Sequence, residues 1–422
     1  MAVDHAQSLA QAIVIGHDAS NNSMTPSGRI GLYFISVNRN AYLIAKTLAL
    51  GGCSVHVRCE LSEDELKGAC ASGYSAEREY CSWLYSEEGI RIVGERAVAP
   101  PVDTLLYEIG HTRPKAPADL TTWMQKAGRV IAWNTTEHEL SFRKNLRAEI
   151  GTTVKFLRLL FHTRNVIVGN GRTILRPTAF GRRSIRQGYF VHPKFLREPP
   201  LYEEMFLREW RVEEPRPVRI VFSGNAEPKS RTLLLQTAAD FLKKRPDVNF
   251  LNHYEQLLQL DRSPTGKTIL WMMRAAVQDP KWYLRNDVVP PARWPGVLRQ
   301  SDFAFCPPGF EKKTHRVIES MLQGVIPILD CPDEYDVGLR DGKSCVVVRH
   351  GRWHEAVRRA LDYSLDDVIR MRCEVTEIAR LHLVPSSGAR DWLRRLGLAP
   401  ADFQEGEATR PGSCYRVTQP RS

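Results

Sequence analysis

The chain has 422 residues, of which 43% are hydrophobic and 25% charged, and a formal net charge of +11. That length suits two domains rather than one core, and the composition excludes a collagen-like, prion-like or broadly disordered chain. The basic excess points to anionic partners: nucleoside diphosphates, an acidic polysaccharide, a phospholipid surface or nucleic acid.

In chain order, the N-terminus (MAVDHAQSLAQAIVIGHDAS) has an acid near its start and no basic n-region, so it does not read as a signal peptide. The longest apolar runs are far shorter than a bilayer span needs. A cytoplasmic protein is expected, with the inner face of the membrane as an alternative station. The nine cysteines include no Cys-x-x-Cys pair and no accompanying His cluster. They are expected as buried or free thiols, with neither a disulfide scaffold nor structural zinc.

After a polar stretch with Gly and Pro at 21–28, residues 29–36 (RIGLYFIS) read as a buried strand. Residues 38–50 have helical apolar spacing that ends at Gly51-Gly52, and 54–58 return as a strand. This is a βαβ unit, the seed of a parallel sheet with helices on both faces. Further strands are expected at 90–93, 104–109 and 129–133. Residues 149–164 then carry a basic and apolar helix-like segment. Cations recur around it at Arg143, Lys144, Arg147, Lys155, Arg158, Arg182, Arg183 and Arg186. They could dock an anionic acceptor, or form a solvated helix face with long side chains over apolar surface. A stretch rich in Pro and charge at 198–217 reads as the linker. Beyond it, a strand at 217–223 and a helix at 230–244 begin a second α/β unit. The expected fold is α/β, two Rossmann-like domains facing a cleft. The acceptor domain would span 1–205, the donor domain 216–400, and a poorly ordered polar tail 401–422.

The most informative stretch is 301–329, SDFAFCPPGFEKKTHRVIESMLQGVIPIL. Residues 303–306 read as a strand. Pro307-Pro308-Gly309 forces a turn, where Gly309 lets the backbone approach a ligand. A helix from about Thr314 to Leu322 follows, with Lys312, Lys313, His315 and Arg316 at its start. A helix N-terminus beside cations is a ready diphosphate site. Glu319 lies three residues beyond Arg316 and can share its face; a carboxylate there can accept hydrogen bonds from both ribose hydroxyls. The bland reading is an ordinary strand–turn–helix with a solvated basic start, but it does not account for the ordered Pro-Pro-Gly, cations, Glu and Gly-x-x-Pro.

At Ser301, residues 303–306, Pro308-Gly309, Arg316, Glu319 and residues 324–328, the chain resembles the exostosin family of glycosyltransferases. The segment 294–300 resembles the family's helix before this strand, and the likeness covers roughly 218–348. The resemblance implies the GT-B arrangement of two Rossmann-like domains, a nucleotide-sugar donor, and a polysaccharide or glycolipid acceptor. It places Glu319 on the nucleotide ribose and the basic residues on the diphosphate. The fucosyltransferase families share a comparable Glu-containing helix and Gly-x-x-Pro strand, so another GT-B branch fits as well. No Asp-x-Asp pair suits a divalent-metal donor site. A metal-independent enzyme is therefore expected, with no cofactor beyond the nucleotide-sugar substrate.

Weaker candidates lie at other strand ends, where open α/β sheets carry their ligands. Ser223 and Gly224 follow the first strand of the second half, and Lys229 and Arg231 open its helix. They could face the departing diphosphate or form a capped helix start. Asp330, Asp333, Glu334 and Asp336 could meet sugar hydroxyls or solvate a loop. In the first half, Glu108 and His111 end one strand and Glu137 and His138 follow another. Each is a candidate general base toward an acceptor hydroxyl, or a surface or capping residue. Asn38 and Arg39 offer the same choice between cleft and helix cap. Competing functions are sugar transfer onto nucleic acid, suggested by charge, and a non-catalytic GT-B-shaped binding protein. No zinc-finger, RNA-recognition or helix-turn-helix signature is present.

Overall fold

The structure is a computed structural model. It describes residues 28–33, 39–59, 76–94, 97–109, 120–134, 165–168, 183–186, 191–208, 210–224, 250–254, 282–285, 289–308 and 313–398.

The first half alternates short apolar strands with helices. Its elements are β1 (Arg29–Tyr33), α1 (Arg39–Leu50), β2 (Ser54–Cys59), α2 (Ala76–Tyr85), β3 (Ile90–Gly94), β4 (Val102–Ile109), α3 (Leu120–Gln125), β5 (Ala127–Asn134), β6 (Asn165–Val168) and β7 (Arg183–Arg186). The strands form one parallel sheet in the order β3-β2-β1-β4-β5-β6-β7. Parallel neighbours require crossover connections, and covering both faces explains why Leu32, Val55, Val57, Leu105 and Leu106 are all buried. Helix α1 ends where Gly52 adopts φ +83°, a conformation that glycine reaches without strain.

The segment read as a linker is more structured at its start than its Pro and charge content suggested. Helical turn α4 (Pro193–Arg197) lies just before it, and α5 (Pro199–Tyr202) within it runs into a π-helical turn at Glu203–Leu207. Phe195, Leu196, Leu201 and Met205 belong to the core of the second half. Apolar burial thus overrides the breaker signal, and Pro193, Pro199 and Pro200 sit in first-turn positions where a missing N–H costs nothing.

The second half repeats the plan with β8 (Val218–Gly224), β9 (Phe250–Tyr254), β10 (Trp282–Arg285), α6 (Trp294–Arg299), β11 (Ser301–Phe305), α7 (His315–Leu322), β12 (Ile326–Leu329), β13 (Val346–Val347), α8 (Trp353–Asp362), α9 (Leu365–His382) and α10 (Pro385–Leu396). Its parallel sheet runs β10-β9-β8-β11-β12-β13. Both sheets therefore start at a central strand, step outward through two strands, then return to the other side of the first.

One buried charge network braces the second half. The Asp302 carboxylate accepts from Arg219 at 2.9 Å and from Arg372, which is 0% exposed. Arg372 also donates to the carbonyls of Val212 and Glu214, both at 2.9 Å. Arg219 donates to the carbonyls of Ala360 and Tyr363 at 3.0 and 2.8 Å. A buried charge is tolerated only with such partners, and these partners join β8, β11, α8, α9 and the end of the linker.

The last described helix belongs by packing to the first half. Trp392, Leu393 and Leu396 of α10 lie in one core cluster with Ile44, Leu48 and Val55. Gly51 makes room for Leu393, because a side chain there would collide with it. Arg129 of β5 also donates to the Leu396 carbonyl at 3.2 Å. No helix among the described residues is long and apolar enough to cross a membrane.

Candidate functional site

In a doubly wound sheet the ligand crevice opens beyond the carboxyl ends of the strands, where the strand order reverses. In the second half that point lies between β8 and β11. Strand β8 ends at Ser223-Gly224, and β11 leads through Cys306 and Pro308 toward α7. The ends of β8 and β11, far apart in sequence, therefore lie side by side.

Arg316 makes the meeting physical. Its guanidinium carbon lies 5.1 Å from the ring centroid of Phe222, the residue before Ser223. A cation stacked on an aromatic face keeps its charge while its direction is set. Thr314 is the N-cap of α7, with φ −132° and ψ 145°, and its hydroxyl makes no capping hydrogen bond. A helix start not capped by its own side chain suits an incoming anion, which the N–H groups and macrodipole favour. Lys313, just before the cap, is 4% exposed, so its charge is built into the loop.

The loop after β12 anchors this helix start. The Thr314 N–H donates to the Tyr335 hydroxyl at 2.9 Å. Tyr335 is buried, and burial pushes its phenol well above the ordinary range. Asp336, in the same acidic loop, has φ +52° and accepts from Arg395 of α10 at 2.9 Å. Asp336 thus joins α10 to this loop, while Pro332–Glu334 form a 3₁₀ turn.

Glu319 is 5% exposed, and both its oxygens meet protein donors. The His192 N–H donates to Oε1 at 3.1 Å and the Trp294 indole N–H to Oε2 at 2.9 Å. The carboxylate thus joins α7 to α6 and to the chain just before α4. The imidazoles of His192 and His315 lie 6.0 Å apart, centroid to centroid, beside it.

The exit from α7 is equally constrained. Gly324 has φ +62°, and the N–H groups of Gly324 and Val325 bond to the carbonyls of Met321 and Ser320. These are the two bonds of a Schellman ending. Trp210 covers the Gly324 Cα closely enough that any Cβ would collide with its ring. Arg216, 5.2 Å from the Trp210 centroid, donates to the carbonyls of Ser301, Gln323 and Gly324 at 2.7, 3.1 and 3.3 Å. Burial is the main reason its pKa falls to about 9.

Of the other candidates, Glu108 is the last residue but one of β4, just past the end of β1, at the first half's own reversal point. Gly309, Lys312, Lys229, Arg231, His111, Glu137 and His138 lie outside the described residues, as do Asn38, the helix expected at 230–244 and the tail beyond 400. The whole of the basic segment at 149–164 does so too. A cavity of about 20 Å³ between α7, α9 and α10, lined by Met321, Tyr335, His382 and Trp392, is too small for a nucleotide.

Sequence reasoning missed Trp294, His192 and Tyr335. A buried indole or phenol needs a hydrogen-bond partner, so the aromatics flanking the motif were the available signal. The His192 contribution runs through its backbone, and its side-chain type does not reveal it.

No family model matches the sequence, and no curated protein matches it. Solved structures do. HepE of Anabaena in complex with UDP and glucose matches with a TM-score of 0.51 at 11% identity, covering 88% of this chain and 99% of that one. HepE in complex with UDP-glucose matches with a TM-score of 0.50 at 11% identity, with the same coverage. The N-terminal domain of Candida albicans trehalose-6-phosphate phosphatase matches with a TM-score of 0.53 at 11% identity, covering 88% of this chain and 97% of that one. The fold is of the GT-B type. At this identity the likeness speaks for the fold alone, and it spans both halves of the chain.

Proposed function

We propose that this chain is a glycosyltransferase of exostosin-like type, moving a sugar from a nucleotide-sugar to a polysaccharide or glycolipid acceptor without a metal ion. One observation carries the reading: the stacking of Arg316 on Phe222, which puts a fixed cation beside an uncapped helix start at the second half's crevice. The fold agrees, since HepE, solved with UDP and glucose and with UDP-glucose, has the same arrangement.

Sugar transfer leaves a nucleoside diphosphate as the departing group, and charge builds on it in the transition state. Arg316, with Lys312, Lys313 and the α7 N–H groups, would stabilise that charge from fixed positions. Glu319 would accept hydrogen bonds from the ribose. The acceptor hydroxyl would be deprotonated from the first half, where Glu108, His111, Glu137 and His138 are the candidates.

The test is a thermal-shift panel of UDP, GDP, ADP, CMP and their sugars, since a ligand that binds only the folded state raises the melting temperature. At least one nucleoside diphosphate should shift wild type, and Arg316→Ala should lose most of that shift. If no nucleotide shifts the protein, the donor-site reading is abandoned. Turnover of the binding nucleotide-sugar then separates an enzyme from a non-catalytic binding protein.

A second acceptor class has its own observation. Residues 143–186 hold eleven Lys and Arg and one acidic residue, so nearly the whole net charge of +11 lies there. Nucleic acid is the polyanion that such a segment would also suit. Transfer stimulated by DNA, falling steeply with salt, would favour it.

A further inference from the structure

The Glu319 carboxylate is met from two sides by elements far apart in sequence. Trp294 heads α6, and its indole N–H reaches Oε2 inside the core. The His192 N–H reaches Oε1 from the chain just before α4, 127 residues away. Both donors are neutral, so neither would pull the carboxylate away as a counter-ion would. A carboxylate with a fixed donor on each oxygen cannot turn about its last torsion without losing a charge-assisted bond. Recognition of a vicinal diol needs that rigidity, because both hydroxyls must find oxygens at set positions.

We propose that the Trp294 indole and the His192 peptide are the positioning groups of Glu319, and that selection of ribose over 2′-deoxyribose depends on them. This rests on the reading of Glu319 as the ribose ligand. It adds two residues to that reading, one of which acts through its backbone.

Two substitutions remove the donors separately. Trp294→Phe keeps a ring and deletes the N–H. His192→Pro deletes the peptide N–H at a site whose φ −55° and ψ 135° already suit proline, ahead of Pro193. His192→Ala removes only the imidazole. The readout is the ratio of dissociation constants for the 2′-deoxy and ribo forms of whichever of UDP, GDP and ADP binds wild type tightest, with unfolding midpoints measured alongside.

Wild type should favour the ribo form about tenfold or more, the fold-change of a hydrogen bond to a charged group. In Trp294→Phe and His192→Pro that ratio should fall to within about threefold of unity, through weaker binding of the ribo form. A collapse in His192→Pro but not in His192→Ala assigns the share of residue 192 to its peptide. If Trp294→Phe does not fold, His192→Pro reads the same quantity. Unchanged ratios with lower unfolding midpoints, or tighter nucleotide binding in either variant, overturn the proposal. Glu319→Gln tells the two failures apart. If it keeps the wild-type ratio, the ribose reading itself fails; if it loses the ratio while the donor variants keep it, only the positioning assignment fails.

Discussion

The two halves share a strand order but differ in how they are braced. The second half is one continuous core, and its inner charges are answered within it or by the linker that enters it: Asp302 by Arg219 and Arg372, and Arg216 by carbonyls at both ends of the β11–α7 unit. The first half has two smaller clusters, and one is completed by α10, a helix from the far end of the chain. The same topology thus yields a platform under the α7 site whose core takes in one first-half side chain, Leu43 of α1, and a partner domain that leans on α10 from the platform's own stretch of chain. A site that must hold a cation and a carboxylate in register gains from the first arrangement.

The strongest way to break this contrast is to attack the platform's network. Asp302→Ala leaves Arg372 buried without its carboxylate, and removing one partner of a buried pair costs about 3–5 kcal/mol. Chemical denaturation should show that loss, and nucleotide-induced stabilisation should weaken with it. A loss below about 1 kcal/mol would mean that the carbonyls of Val212 and Glu214 suffice for Arg372.

Next comes the tie between halves. Leu393 is 2% exposed against Gly51, and truncation to Ala should cost about 3 kcal/mol through lost burial and the cavity left behind. Because the contact belongs to the first half's core, the loss should appear as earlier melting of that half. Hydrogen exchange in β1, β2 and α1 would report it, with β11 and β12 protected as in wild type.

A smaller effect is expected at the exit of α7. Gly324→Ala forces a side chain into φ +62° and into the Trp210 ring, a cost of about 2 kcal/mol. Trp210→Ala in the same chain should recover part of the loss, which a double-mutant cycle would measure. If the pair is additive, the ring is not what excludes a Cβ.

Much of the fold was legible because its signals are local. The strands at β2, β3, β4, β5, β8 and β11 were expected within two residues of their observed bounds, and β1 at its observed start. The α7 start was readable for the same reason, since Pro, Gly and cations act on their immediate neighbours. What was not legible depends on distance. The turns at 199–207 look like linker until Leu201 and Met205 find a core from another part of the chain. Glu319 read as a ligand from its face on α7, yet its partners come from 25 and 127 residues away, and one is a peptide N–H. Nor does the sequence of α10 show that its apolar face serves the first half.

The smallest effect sharpens the contrast through pH, where α10 packs against the end of α9. Asp391 accepts from His382 at 3.1 Å, Arg394 at 2.8 Å and Arg395 at 2.5 Å. Burial raises its pKa, but these bonds outweigh burial and hold the carboxyl well below the usual range. A depressed carboxylate contributes stability that is fully present above its unfolded value, near 4, and that is lost as pH falls through the folded one. Arg394 is largely exposed and Arg395 partly so, so water screens much of the attraction. Asp391→Asn should therefore cost about 1 kcal/mol at neutral pH. The gap between variant and wild type should close as pH drops from about 4 toward 2, because wild type loses there what the variant never had. A gap constant with pH would mean that Asp391 holds α10 by shape alone. Since α10 completes the first half's core, protection of α1 should fall over the same acid range in wild type, ahead of any loss in β11.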